Sequence, residues 1–557
     1  VSTADGETPH PDLAPREADW PWVPVILGWL GLIWLLSLLG APYGVDPYFH
    51  LQVADVMRER GIGFDTFPYA TESIWAHRYF DKEWLFHVFL VPFLGSGKLN
   101  AGHSAVLVMN ALLILGLWYT FKTLEIRKAW FWAALLPCSV FGMAWLRLTL
   151  LRPHLLAAPI FLVAIAAALR RKHILLGIMA FLYAMCHTAH WQLPFMIAAI
   201  DGVAILWPRK PEKRFRQLPL VVASVVGIAI ATLLHPHFPN NLSGLYAQNV
   251  LVLKAYWQAS ATLAAVKPAE LRPLGGALIA VSIPLLFCLL AVTVRAVRGK
   301  LRWHQDLSVL TIYALGYAVM TIKSARFLDY YAPCAVLFLA CWFRQHAWAE
   351  HVELRWQRCL LAAALSAYFA IIGFIPVAAL LVAIFAACEL CNWEQARHRA
   401  LIVGFALAVG AFTLGGLRGF VEERAAADSV TAPYAEAGAL LSQHLAPGDI
   451  VFTANWSEPP WLWFHAPEQR FMMFLEPMFF YLQSRERFEL WHQTRLGQSP
   501  DPVSVIRDTF SARAAVLYQA RSAPLVEQLR ASPDVQELDH FGPHGERIFL
   551  FPPPAQP

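Results

Sequence analysis

Long uncharged apolar runs, separated by short basic connections, dominate the first 418 positions of this chain. Residues 22–41 (WVPVILGWLGLIWLLSLLGA) carry no charge, and neither do 129–146, 155–169, 218–234 and 400–417. Each approaches the ~20 apolar residues that cross a bilayer core. A segment in lipid must satisfy its own backbone hydrogen bonds, so each is read as a helix. The basic connections contain Lys122, Arg127 and Lys128; Arg170, Arg171 and Lys172; Arg209, Lys210, Lys213, Arg214 and Arg216. Further on lie Arg295, Arg298, Lys300 and Arg302; Arg344, Arg355 and Arg358; and Arg397 and Arg399. Placing all six clusters on the cytoplasmic side gives one consistent layout. Thirteen spans are expected near 22–41, 103–121, 129–146, 155–169, 174–187, 190–207, 218–235, 273–294, 307–322, 328–343, 359–374, 375–391 and 400–417. The N-terminus is then inside and everything after 418 outside. Residues 84–97 (WLFHVFLVPFLGSG) are apolar but short, and Pro92, Gly95 and Gly97 interrupt them. They read as a re-entrant or interfacial helix; if they span instead, the sidedness around 84–128 changes.

Past Gly416 the periodicity changes. Residues 430–557 alternate helical stretches with short β-like runs at Asp449–Ala454, Arg470–Phe474, Ala514–Tyr518 and Arg547–Phe551. Tyr434–His444 has helical periodicity, and Ala446-Pro447-Gly448-Asp449 supplies the turn into the first strand. Strands alternating with helices predict a soluble α/β domain. The expected fold class is therefore a polytopic α-helical membrane protein with a C-terminal soluble α/β domain. Residues 1–20 are polar and Pro-containing and read as a disordered cytoplasmic tail. The apolar run that follows is too long for a cleaved signal peptide and reads as a permanent first span.

Composition agrees with this layout: 57% of the 557 residues are hydrophobic, 15% are charged, and mean hydropathy is +0.46. A soluble chain carries about 25% charged residues. The net charge of +5 is too small at this length to argue for nucleic acid. None of the eight cysteines lies beyond Cys391, so the C-terminal domain has no disulfide. Cys388 and Cys391 form a C-x-x-C pair inside an apolar stretch, where helix packing is the simpler reading than redox or metal chemistry.

The polar residues with chemical potential gather in the outer connections 42–83, 147–154, 188–190, 236–272 and 323–327. Asp46 lies next to the first span, where a carboxylate meets lipid headgroups; Pro47 opens a helix, for which Asp46 is also a good N-cap. Asp81 and Glu83, two apart, could share a hard divalent cation such as Mg²⁺ or Mn²⁺ with Asp46, or form an interfacial charge cluster anchored by Trp84. Arg147, Arg152 and His154 flank one mouth of the helical part, Lys323 and Arg326 another, and His187 and His190 a third. Each could also be a snorkelling interfacial residue. Asp201 and Glu389 sit inside apolar runs near the expected cytoplasmic ends, where snorkelling explains them.

Asp46-Pro47-Tyr48-Phe49-His50 resembles the first-loop motif of the catalytic subunit of oligosaccharyltransferase. Gly448-Asp449-Ile450-Val451-Phe452-Thr453-Ala454-Asn455-Trp456-Ser457-Glu458 resembles the strand leading to that subunit's Trp-Trp-Asp motif. More broadly, the arrangement is similar to the GT-C fold glycosyltransferases, many-span enzymes that use sugars carried on polyprenyl phosphate or pyrophosphate. Glu83-Trp84-Leu85, Arg152-Pro153 and Arg326-Phe327 match motifs of bacterial GT-C-like membrane proteins. Two departures stand out: the loop 147–154 holds no carboxylate, and Trp456-Ser457-Glu458 stands where Trp-Trp-Asp would.

The resemblance implies a glycosyltransferase of the bacterial cytoplasmic membrane acting at its periplasmic face. It would move a sugar from a polyprenyl-phosphate-linked donor to an acceptor. Asp46 would be the catalytic base or a metal ligand, and Trp456 and Glu458 would hold the acceptor. Arg147, Arg152, His154, His187, His190, Lys323 and Arg326 would stabilise the departing phosphate, where negative charge develops. The rival readings are a lipid or solute transporter that uses Asp201 or Glu389, and an inactive scaffold of envelope assembly.

Overall fold

The computed structural model describes residues 44–126, 147–206, 218–257, 305–345, 434–538 and 546–553, with a few positions at 26–31, 42 and 129–133. The expected tail 1–20, most of the runs 22–41 and 129–146, and all of 273–294, 359–374, 375–391 and 400–417 lie outside the described residues. So do Glu389 and the Cys388–Cys391 pair.

Helices form where the apolar runs are. After α1 (Asp46–Arg60) comes α2 (Trp84–Leu90), which passes into a 3-10 segment, Val91–Ser96. Then follow α3 (Lys98–Thr123), α4 (Pro153–Leu169), α5 (His173–Cys186), α6 (Gln192–Leu206) and α7 (Leu218–Leu234). The short α8 (Asn240–Tyr246) precedes α9 (Gln305–Lys323) and α10 (Leu328–Gln345). Lys98–Thr123 and Asp306–Lys323 are long and apolar enough to cross a membrane; Pro153–Leu169, His173–Cys186, Leu220–Leu234 and Leu328–Trp342 are shorter apolar helices. Many outward side chains are apolar and exposed, among them Phe195, Val222, Val226, Ile230, Leu233 and Val319. Lipid would solvate such side chains, which suits helices of a membrane-type fold. The 84–97 segment is a short helix that ends at Gly97, whose φ of +92° breaks it from α3.

Small residues bring the helices together. A Cβ on Gly227 of α7 would come within 2.3 Å of the Gly177 carbonyl oxygen of α5. One on Gly116 of α3 would approach the Pro159 Cβ of α4 to 2.8 Å. Close backbone approach of this kind is how helices associate when no hydrophobic drive operates between them.

The C-terminal part carries β1 (Ile450–Thr453), α11 (Pro459–His465), β2 (Arg470–Phe471), α12 (Pro477–Gln483) and α13 (Arg485–Arg495). These are followed by β3 (Ala512–Tyr518), α14 (Gln519–Arg530), β4 (Gln536–Glu537) and β5 (Glu546–Leu550). Five strands form one sheet in the order β2-β1-β3-β5-β4, with β1 parallel to β2 and β3, and β5 antiparallel to β3 and β4. The four expected strands coincide with β1, β2, β3 and β5.

This sheet shares its core with the first outer loop. Phe49, Phe67, Trp75 and Tyr79 are buried in one cluster with Trp463, Phe474 and Phe479. Phe49 stacks on Trp75 at 5.9 Å between ring centroids, and Phe67 meets Trp463 at 5.3 Å. Backbone bonds add to the seam: the Thr71 N–H donates to the Phe471 carbonyl at 2.8 Å, and the Phe471 N–H to the Tyr69 carbonyl at 2.7 Å. Arg487 of α13 grips Glu72 with two bonds of 2.7 and 2.5 Å.

Candidate functional site

Helix α1 carries the first half of the site. Gly44, at φ +83°, turns the chain into it, Pro47 fits its first turn, and Gly61, at φ +88°, ends it. The N-cap is Val45 rather than Asp46, so the expected capping role is corrected. Asp46 lies in the first turn, and its carboxylate is paired with the Arg152 guanidinium. Almost all of α1 as far as Met57 is buried. Leu51 and Ala54 face the helical bundle, while Phe49, Val53, Val56 and Met57 face the aromatic core above. Lys98 at the start of α3 fastens the far end, with bonds of 2.6 Å to Gln52 and 2.8 Å to Asp55. Asp46 and His50, four apart, share the remaining helix face.

Asp81, Glu83 and His87 form the second half, at the start of α2. The Asp81 Oδ2 atom lies 2.6 Å from Nδ1 of His87, and Oδ1 accepts the Glu83 N–H at 2.9 Å. The Asp81 N–H donates to His237 Nδ1 at 2.9 Å. His87 Nε2 lies 2.8 Å from His50 Nδ1. Burial would raise the Asp81 carboxyl, but the His87 contact and hydrogen bond outweigh it and hold the carboxyl below its usual range. Glu83 goes the other way: burial raises it, with Lys82 opposing. Burial keeps His50 neutral well below the ordinary histidine range, and His87 and Arg152 add to the effect.

The third element is a bidentate ion pair between Arg147 and Asp329, with Nη2 to Oδ2 at 2.5 Å. His154 Nε2 stands 3.2 Å from the Arg147 carbonyl oxygen and 3.9 Å from Asp329. Arg147, His154 and Asp329 line a small pocket whose other lining residues are apolar, including Leu113, Leu155 and Leu328. Arg326, exposed at the turn before α10, acts electrostatically on both Glu83 and His187. His190 Nδ1 lies 3.0 Å from the His187 carbonyl oxygen.

Asp46, Arg152, Asp81, Glu83, Arg147, His154, His187 and Arg326 are thus linked by contacts or fields into one region. Lys323 is exposed at the end of α9. Trp456 and Glu458 lie in the C-terminal layer, where Trp456 packs on the aromatic core and Glu458, buried, faces Arg495.

Of the expected metal set Asp46, Asp81 and Glu83, Asp46 pairs with Arg152, and the two Asp81 oxygens meet His87 and the Glu83 N–H. Among the described residues, those that could hold a metal are His50, Glu83 and His87, all buried, with one donor atom each within 4.8 Å of the others. Sequence reasoning missed His50 and His87 as site residues. The available signal was spacing: His50 is four beyond Asp46, and His87 four beyond Glu83. Asp329 was also missed; nothing local in the sequence ties it to Arg147, 182 positions away.

No protein-family model and no curated protein sequence matches the chain. Solved structures do. ArnT from Cupriavidus metallidurans bound to undecaprenyl phosphate matches at a TM-score of 0.56 and 14% identity, over 95% of this chain and 98% of that one. The oligosaccharyltransferase AglB from Archaeoglobus fulgidus, in complex with an inhibitory peptide and a dolichol-phosphate, matches at 0.52 and 12%, over 89% and 70%. The Archaeoglobus fulgidus oligosaccharyltransferase in complex with zinc and sulfate matches at 0.50 and 13%, over 88% and 67%. The chain has the GT-C fold. At these identities the likeness shows the fold, and with it a membrane-type architecture.

Proposed function

We propose that this protein is a glycosyltransferase that moves a sugar from a polyprenyl-phosphate-linked donor to an acceptor at the outer face of a bacterial cytoplasmic membrane. The observation that supports this reading best is the Asp46–Arg152 pair at the ends of α1 and α4. It joins a carboxylate suited to a proton acceptor to a guanidinium suited to a phosphate. It does so in a fold whose solved neighbours were captured with undecaprenyl phosphate and dolichol-phosphate.

In this reading the donor phosphate draws Arg152 away from Asp46, with Arg326 and Lys323 adding positive charge. The released carboxylate takes the proton of the acceptor hydroxyl as its oxygen attacks the anomeric carbon. The bond from that carbon to the phosphate oxygen breaks, and the leaving phosphate keeps the electron pair against the arginines. Arg147 and His154 remain proposed phosphate contacts, with Arg147 paired to Asp329. Trp456 and Glu458 remain the proposed acceptor contacts. The C-terminal layer is then periplasmic.

The test separates binding from chemistry. Asp46→Asn should retain binding of a polyprenyl phosphate and lose transfer by about 10²–10⁴ in rate, the usual loss for a general base. Arg152→Ala should weaken lipid-phosphate binding by about 1.5–3 kcal/mol, the scale of a charge-assisted hydrogen bond. Wild-type transfer by a folded Asp46→Asn protein sinks the reading.

A further inference from the structure

The His50–Glu83–His87 cluster is not needed for the transfer chemistry above, and its composition is unusual for a purely structural contact. Two imidazoles and one carboxyl group meet inside the fold, each residue at most 7% exposed. Asp81 orients one ring: its carboxylate lies 2.6 Å from Nδ1 of His87, which aims Nε2 of that ring at His50. Asp81 is itself held by the Glu83 N–H and fixed in place through His237. A carboxylate that orients one nitrogen of a histidine whose other nitrogen faces a second potential ligand is the outer-shell arrangement of metal-bound histidines.

We propose that His50, Glu83 and His87 bind one zinc-type divalent ion, with Asp81 as the outer-shell carboxylate. The ion joins α1 to the start of α2 and so stiffens the first outer loop beneath the Asp46–Arg152 pair. The inference is independent of sugar transfer.

Geometry and ligand chemistry agree on the class of metal. At bond lengths of about 2.0–2.1 Å, two nitrogens on a tetrahedral ion stand about 3.3 Å apart. The 2.8 Å between His50 Nδ1 and His87 Nε2 needs only a small opening to reach that. Glu83 and His87 sit four apart around one helical turn, so both reach the same point. Imidazole pairs suit zinc, whereas Mg²⁺ demands an octahedral oxygen shell that these residues do not offer. Three protein ligands leave a fourth position for water or a substrate oxygen. The competing arrangement is a metal-free chain of hydrogen bonds from Asp81 through His87 to His50.

The experiment is metal titration of the full-length protein in detergent, purified without a polyhistidine tag. After treatment with a chelator, Zn²⁺ alone should rebind at one ion per chain and raise the thermal unfolding midpoint, and Mg²⁺ should do neither. Co²⁺ should bind in the same ratio and give the visible absorption of a tetrahedral ion. His50→Gln and His87→Gln should abolish stoichiometric binding while eluting as the wild type does. Asp81→Asn should weaken it about 10–100-fold, the usual outer-shell effect. Failure of the wild-type chain to bind Zn²⁺ stoichiometrically overturns the proposal and leaves the hydrogen-bonded chain. Equal binding by wild type and both glutamine variants overturns it as well. Neither result bears on transfer, which is read separately from Asp46→Asn.

Discussion

Arg147 and Asp329 meet across 182 positions and are each 9% exposed in their side chains. Removing one member of a buried ion pair leaves an uncompensated charge, a loss of about 3–5 kcal/mol. Asp329→Ala should therefore lower the thermal unfolding midpoint sharply in detergent, while Arg147→Met with Asp329→Leu should recover most of it. An undiminished midpoint in Asp329→Ala would show that the pair contributes nothing. A second residue-scale outcome concerns acid. Burial and nearby Arg495 hold His492 down to about 4, against an ordinary value near 6.5. Its folded pKa is depressed, so the unfolded chain binds the extra proton first. The contribution is present above about pH 6.5 and is lost as pH falls toward 4. His492→Gln should flatten the stability profile in that window, as read from midpoints measured at stepped pH; a profile identical to wild type would exclude His492 as a cause. Arg147 was legible in the sequence as a basic residue at a helix end. Its carboxylate partner was not, because no local pattern marks a contact between distant helices.

At the level of elements, the apolar runs located α3 to α7, α9 and α10 within a few residues. In a bilayer, length and hydrophobicity alone demand a helix there. How those helices touch is decided by single small residues. Gly227→Val should drive a side chain into the Gly177 carbonyl and cost at least the 1–3 kcal/mol typical of overpacking, seen as aggregation or a lost monodisperse peak on gel filtration. Gly316 of α9 has nothing within 4 Å of its Cβ position. Gly316→Ala should be neutral or gain up to ~1 kcal/mol from helix propensity. Equal behaviour of the two variants would refute the packing argument. Residues 84–97 show the opposite case. Pro92 and the glycines announced a broken segment, yet that its first turn delivers Glu83 and His87 to His50 appears only in the folded chain.

For the molecule as a whole, the C-terminal layer and the first loop share one buried core. The sequence suggested a separable unit after 430, since the composition changes there and no cysteine bridges the parts. The aromatic core is nonetheless built from both, and the Glu72–Arg487 pair lies across the seam. Deleting 434–557 should therefore uncover Phe49, Phe67, Trp75 and Tyr79 and make the first loop sensitive to protease in membranes, where the full-length loop resists. Equal resistance of both forms would restore the separable unit. The proposed sidedness is checked with single cysteines: His237→Cys and Ser457→Cys should label from outside, and Lys213→Cys should not. External labelling at position 213 with protection at 457 would invert the layout.

By itself, the sequence determined where the described helices and strands form, that the chain has a membrane-type architecture, and that polar residues, Asp46 and Arg152 among them, gather in the connections. Those properties follow from local free energies: apolar length against bilayer thickness, strand and turn chemistry, and the low cost of polar residues at helix ends. Tertiary structure decided the partnerships. It gave Asp46 to Arg152 instead of to its own helix N-terminus, and Arg147 to Asp329. It brought His50, Glu83 and His87 within reach of one another, and joined the first loop to the C-terminal sheet through one aromatic core. Contacts between segments tens to hundreds of positions apart depend on how helices cross and which faces they bury, and no periodicity along a single chain encodes that.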